Sequence, residues 1–169
     1  MKPGEKTSLL IVDDDAPIRK LLERVALRAG FEVGLAKDGI EALEMLEQRP
    51  YSIAIIDLMM PRLSGYDLVQ KISTMNPRPV IFVATAMANS DVSKIDDTLV
   101  RRVIRKPFDV QAVAEALIET AKQIAEKQAA APADAVIRIS AEDLKRQATE
   151  ETDEQKKKEP QPPDAKPPN

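Results

Sequence analysis

The sequence contains no cysteine, no histidine and no tryptophan among its 169 residues, and it has only five glycines. Without cysteine the chain can form no disulfide and carry out no thiol chemistry. Without histidine it lacks the commonest general base and the commonest metal ligand. Any metal ion must therefore be bound through oxygen, which favours Mg²⁺, Mn²⁺ or Ca²⁺.

Long apolar runs and a strong excess of one charge are missing as well. No apolar run approaches the roughly 20 residues that span a bilayer, and the first residues, MKPGEKTS, lack the apolar core of a signal peptide. The net charge of −3 gives no support to a nucleic-acid or membrane-surface partner. These features predict a cytoplasmic protein.

Short apolar runs alternate with segments of helical periodicity over most of the chain. Five runs predict β-strands, namely Leu9–Val12, Phe31–Ala36, Ile53–Ile56, Pro79–Ala84 and Arg101–Ile104. Each is followed by a predicted helix, of which the fourth, Asp91–Leu99, has sparse apolar positions. Strands that alternate with helices give a parallel sheet with helices on both faces. The pattern therefore predicts an α/β fold with a doubly wound, five-stranded parallel sheet.

The predicted domain covers residues 8–128, after an extension of residues 1–7. Residues 129–169 differ in kind, because they begin as a linker and end in a charged, proline-rich segment typical of disorder. Ser140 and Asp143 resemble a capping box and predict a short helix over residues 141–149. This tail is either an inert, solubilising extension or a segment that folds on a partner or on the domain.

Acidic, hydroxyl and lysine side chains occur at the ends of four predicted strands. They are Asp13 and Asp14 after the first strand, Asp57 at the third, Thr85 at the fourth and Lys106 at the fifth. Because the carboxyl ends of parallel strands lie along one edge of the sheet, these side chains can converge. Three close carboxylates repel one another, and an oxygen-bound divalent cation would relieve that repulsion.

A phosphoryl group on Asp57 would give each of these groups a function. Asp57 would be the nucleophile, the metal and Lys106 would neutralise the phosphoryl oxygens, and Thr85 would donate a hydrogen bond. Taken singly, Asp13–Asp15 could be a solvated helix cap, Thr85 an ordinary hydroxyl and Lys106 a charge beside a turn. Their joint occurrence favours phosphoryl transfer.

Four segments resemble the receiver domain of two-component response regulators. They are LLIVDDD in the first strand, IIDLMMPRLSGYDLV around Asp57, VATA at Thr85 and RKPF at Lys106. The segments occur in the family's order and spacing, and the resemblance covers roughly Leu9–Gln128. It implies a (βα)5 flavodoxin-like receiver fold, here as a stand-alone receiver with a short C-terminal tail.

The resemblance also implies a role for individual residues. Asp57 matches the phosphoacceptor, and Asp13 and Asp14 match the acidic pair, with Asp14 the more direct ligand of Mg²⁺ or Mn²⁺. The backbone carbonyl of Met59 matches a further metal ligand. Thr85 and Lys106 match the switch hydroxyl and the lysine that pairs with the phosphate.

The expected partner is a histidine kinase or phosphotransfer protein that donates from a phosphohistidine. The Lys106–Pro107 bond is expected to be cis, as in the family. No DNA-binding or enzymatic output segment is recognisable, so the signal is expected to pass by partner binding or phosphate relay. The family also suggests a homodimer through the last helix.

Three positions depart from the family pattern. Val103 stands three residues before Lys106, where many receivers carry an aromatic switch residue. Met59 and Met87, two residues after Asp57 and Thr85, are apolar and cannot orient a water molecule. We therefore expect slow self-hydrolysis of the phosphorylated form.

Two alternatives belong to other functional classes. A phosphohydrolase of the haloacid-dehalogenase type would also use an Asp nucleophile, but its second Asp is replaced here by Met59, and no cap domain is evident. A receiver-shaped scaffold that never takes phosphate would have no need of the acids, the hydroxyl and the lysine. The favoured interpretation is a phosphoacceptor rather than an enzyme acting on other substrates.

Overall fold

A computed structural model describes residues 6–86, 96 and 98–130 of the chain. Most of the predicted helix Asp91–Leu99 lies outside these residues, as does Met87. The predicted helix at residues 141–149 and the rest of the tail beyond residue 130 also lie outside them.

The described residues form alternating strands and helices. The strands are β1 (Ser8–Val12), β2 (Glu32–Ala36), β3 (Ile53–Asp57), β4 (Val80–Thr85) and β5 (Val100–Arg105). The helices are α1 (Ala16–Arg28), α2 (Gly39–Gln48), α3 (Gly65–Ser73) and α4 (Val110–Ala130). The strand boundaries lie within one residue of those predicted.

Two helices end at other positions than the sequence predicts. The dipeptide Asn76–Pro77 predicts the end of the third helix, but the helix ends earlier, at Ser73, because the amides of Thr74 and Met75 bond to carbonyls three residues back. Helix α4 continues to Ala130, two residues beyond the expected boundary at Gln128. Neither difference affects the sheet.

The five strands form one parallel sheet in the order β2-β1-β3-β4-β5. Alternate residues of each strand face opposite sides of the sheet. Leu10, Ala54 and Ile56 belong to the core beneath α2 and α3. Leu9 and Ile55 belong to the core beneath α1 and α4. The predicted doubly wound fold is therefore confirmed.

Side-chain caps fix where the helices begin and so set the loops at the carboxyl edge of the sheet. Asp15 caps α1 by accepting from the Ile18 N–H at 3.3 Å, and Asp109 accepts from the Gln111 N–H at 2.8 Å as α4 begins. Aspartate is one of the residues preferred at the start of a helix. None of the helices in the described ranges is long and apolar enough to cross a membrane.

Candidate functional site

The carboxyl ends of β1, β3, β4 and β5 place the predicted site residues along one edge of the sheet. Asp13 directly follows β1, Asp57 and Thr85 are the last residues of β3 and β4, and Lys106 directly follows β5. The register pairs Asp57 with Ala84 and Thr85 with Arg105. Strand β3 lies in the middle of this arrangement, so Asp57 is central.

Lys106 connects two of the carboxylates. Its Nζ atom donates to Asp57 Oδ2 at 2.6 Å and to Asp13 Oδ2 at 2.7 Å. All three side chains are largely buried, with exposed fractions of 17% for Lys106, 8% for Asp57 and 1% for Asp13. The ammonium group therefore bridges two acids that come from different strands.

Burial and pairing act in opposite directions at these groups. Burial raises the pKa of Asp13, and the hydrogen bonds from Lys106 and the Asp15 N–H with the Lys106 charge offset only part of that rise. Burial lowers the pKa of Lys106, but the hydrogen bonds and charges of Asp13 and Asp57 outweigh it and leave the pKa raised. Lys106 is therefore a cation at neutral pH. The negative charge of Asp13 is less favourable in the folded protein than it would be in water.

The donor set at this edge fits a hard divalent cation. Asp13, Asp14 and Asp57 each offer a carboxylate oxygen, and these oxygens all lie within 4.8 Å of one another. Asp14 is exposed, whereas the other two are buried. Three acids beside one lysine leave an excess of negative charge, and oxygen donors are the ligands that Mg²⁺ and Mn²⁺ prefer.

Met59 and Thr85 adjoin the same site. The Met59 N–H donates to Asp57 Oδ1 at 3.1 Å, while Met59 as a residue is 60% exposed. Thr85 is fully buried, and its backbone oxygen accepts from the Lys106 N–H at 3.0 Å. The Lys106–Pro107 peptide bond is cis, which confirms that expectation.

Two contacts around the site were not predicted. Arg19 donates to the backbone oxygen of Asp13 at 2.5 Å and holds the loop after β1. The other is the ion pair of Arg62 with Asp38. Arg19 lies in the first helical turns after the acids, which was the available sequence signal. No sequence pattern of this kind indicates the contact made by Arg62.

Comparison with known proteins assigns the domain and its fold to a family. Residues 9–118 match the family described as response regulator receiver domain. The chain belongs to this family. Among receiver relatives, the chemotaxis protein CheY of Thermotoga maritima is 34% identical over 116 residues, which cover 68% of this chain and 97% of CheY.

Other relatives of this receiver domain are longer proteins. The response regulator RR06 of Streptococcus pneumoniae is 31% identical over 103 residues, which cover 61% of this chain and 48% of RR06. The match to a probable transcriptional regulator ycf27 of Guillardia theta covers 31% of that protein. The chain thus spans less than half the length of these curated relatives.

A solved receiver structure has the same fold as this domain. A CheY-like response regulator receiver domain protein from Methanospirillum hungatei superposes with a TM-score of 0.67 at 25% identity, covering 72% of this chain and 99% of that one. The receiver fold, a flavodoxin-like five-stranded sheet, is confirmed.

Proposed function

We propose that this receiver domain accepts a phosphoryl group on Asp57 from the phosphohistidine of a histidine kinase or phosphotransfer protein. The observation that carries the proposal is the Asp57 carboxylate, which ends the central strand and lies 2.6 Å from Lys106 Nζ beside two further acids. A lone strand-end Asp would not need this surrounding charge.

Asp57 serves as the nucleophile in this proposal. One carboxylate oxygen forms the new P–O bond while the P–N bond of the phosphohistidine breaks, and its electron pair leaves with the imidazole. The Met59 N–H and Lys106 Nζ each hold one oxygen of the Asp57 carboxylate, so its orientation is fixed before the donor arrives. Lys106 remains as a cation beside the transferred group.

Asp13, Asp14, Asp57 and the backbone carbonyl of Met59 would hold Mg²⁺ or Mn²⁺. When bound, the ion supplies positive charge that neutralises the phosphoryl oxygens. The exposed side of Asp14 keeps the site open towards solvent and donor. The protein itself contributes positioning, a largely water-excluded edge and the Lys106 charge.

Thr85 connects the site to the surface formed by β5 and α4. Its hydroxyl donates to a phosphoryl oxygen, and its backbone bond to Lys106 joins the ends of β4 and β5. Val103 on β5 is 37% exposed and has no ring to move, so the change at this surface is smaller than an aromatic side chain would give. Altered amide exchange in β5 and α4 upon phosphorylation is the expected signature.

The resulting signal is a change in partner binding, or phosphate relay, by a cytoplasmic protein. A net charge of −3 favours a protein partner over nucleic acid or a membrane surface.

A homodimer through α4 stays a prediction that sedimentation of both phosphorylation states would test. A chain shortened after Ala130 is expected to take phosphate normally, because the tail contributes none of the proposed site residues.

Intact-mass spectrometry tests the proposal. The parent protein is incubated with magnesium and a small phosphodonor, beside Asp57→Ala and a matched variant at an exposed acid, Asp96→Ala. We expect one added phosphoryl group in the parent and in Asp96→Ala, and none in Asp57→Ala. A parent that stays unmodified with both small donors and phosphorylated kinases would contradict the proposal and favour the scaffold alternative.

A further inference from the structure

The loop between β3 and α3, residues 58–64, is joined to the start of α2 by an ion pair. The guanidinium of Arg62 pairs with Asp38 Oδ2. The two partners differ in environment, because the Asp38 side chain is 1% exposed and the Arg62 side chain is 54% exposed. A buried carboxylate that pairs with a cation on a surface loop can hold that loop in place.

Asp38 is itself held by the first turn of α2. Its Oδ1 atom accepts from the Ile40 N–H at 2.9 Å and from the Glu41 N–H at 3.0 Å. These two bonds cap the helix and leave Oδ2 facing Arg62. The position of Oδ2 is therefore set by the helix and not by the loop.

The loop backbone fits closely against the same helix start. A Cβ atom on Gly39 would lie 2.8 Å from the backbone oxygen of Leu63. Arg62 has a φ of 70°, and it is the one non-glycine residue with positive φ in the described ranges. A left-handed conformation is unfavourable for a non-glycine residue, so the loop needs a stabilising contact at this residue.

The same loop carries Met59, which contacts the phosphoacceptor. The Met59 N–H donates to Asp57 Oδ1 at 3.1 Å, and the Leu58 carbonyl accepts from the Gly65 N–H at 3.0 Å. Leu58 is buried but Met59 is exposed, so Met59 has little packing of its own to hold it. Its backbone position depends on how firmly the rest of the loop is attached.

We propose that Arg62, anchored by Asp38, is a positioning residue for phosphoryl transfer at Asp57. The ion pair keeps the Met59 backbone against Asp57 and thereby orients both the nucleophile and the Met59 carbonyl. This inference rests on the proposed function of Asp57. Arg62 itself touches neither the donor nor the transferred group.

The test compares Arg62→Gln, Asp38→Asn, the double variant and Arg62→Lys. Asn keeps an oxygen that can cap α2, so Asp38→Asn removes the charge with little change to the helix start. Glu32→Gln is the matched control, since it removes an exposed ion pair with Arg49 at the opposite edge of the sheet. Phosphorylation rate is measured against Mg²⁺ concentration, with urea unfolding and amide exchange of Met59 measured on the same samples.

We expect Arg62→Gln and Asp38→Asn each to raise the Mg²⁺ concentration that gives half the maximal phosphorylation rate by roughly tenfold. This is the lower end of the range found when a group that orients metal ligands is removed. The double variant should be no slower than either single variant, because both remove one interaction. Arg62→Lys should recover part of the loss, and Met59 should exchange faster in Arg62→Gln. Glu32→Gln should behave as the parent.

Lower stability in urea with unchanged Mg²⁺ dependence and unchanged Met59 exchange would show a merely structural ion pair and overturn the inference. Additive effects in the double variant would overturn it as well. If the parent takes no phosphate, the proposed function fails, and amide exchange of Met59 without any phosphodonor still decides whether Arg62 positions the loop.

Discussion

A Cβ atom placed on Gly65 would lie 2.0 Å from the backbone oxygen of Asp57 and 2.6 Å from the Cα of Leu58. The first residue of α3 thus packs directly on the backbone of Asp57, the proposed phosphoacceptor. Both of these neighbours are backbone atoms, which cannot move aside as a flexible side chain would. Glycine at position 65 is required by this close approach, and the position of Asp57 depends on it.

Gly65→Ala is expected to lower the free energy of unfolding by about 1–3 kcal/mol, because overpacking shifts the backbone. The same shift should slow phosphorylation of Asp57 by a small donor. Gly30→Ala is the matched control, since Gly30 has a φ of 89° and open space around its Cβ position. Gly30→Ala should lose about 1–2 kcal/mol through strain alone and keep the parent rate of phosphorylation. Equal rates for both variants would contradict the prediction.

Asp13→Asn is expected to increase stability at neutral pH in the absence of divalent cations. Burial raises the pKa of Asp13 above 3.8, so the charged form is less favourable in the folded than in the unfolded chain. Asparagine removes that charge. Mg²⁺ should stabilise the parent more than the variant, because a carboxylate of the proposed metal site is lost. Urea unfolding with and without Mg²⁺ measures both effects.

The pH dependence of the Asp13→Asn effect provides the control. A raised pKa contributes stability that is present at low pH and lost as the pH rises through the folded-state value. The stability difference between the variant and the parent should therefore narrow as the pH falls from neutral towards 3.8. If the stability difference between the variant and the parent stays constant with pH, the charge of Asp13 does not cause it.

Lys106→Met is expected to have the opposite effect on stability. It leaves Asp13 and Asp57 buried without their shared donor, which costs about 1–3 kcal/mol for an unsatisfied buried group. The variant should also accept little phosphate, because the charge beside Asp57 is gone. Lys106→Arg restores a cation and should recover stability better than activity, since a planar guanidinium does not reproduce the compact ammonium. A stable Lys106→Met protein with the parent phosphorylation rate would contradict this account.

The sheet and its polar edge could be predicted because each depends on short-range patterns. Apolar runs gave the strands to within one residue, and parallel topology alone brings Asp13, Asp57 and Lys106 to one edge. The Asp38–Arg62 pair could not be predicted, because it joins two loops through a left-handed arginine. Such a conformation is more typical of glycine or asparagine, and no periodicity signals it.

Met59→Asn is expected to shorten the lifetime of the phosphorylated protein several-fold. Met59 is 60% exposed, and its side chain ends in a thioether, which cannot donate a hydrogen bond to an attacking water. An amide at this position can both donate and accept, and so can orient water towards the phosphoryl group. Loss of phosphate is followed by intact mass after the donor is removed. Met59→Leu, equally apolar, is the control and should match the parent; if Met59→Asn loses phosphate no faster than Met59→Leu, the apolar side chain does not set the lifetime.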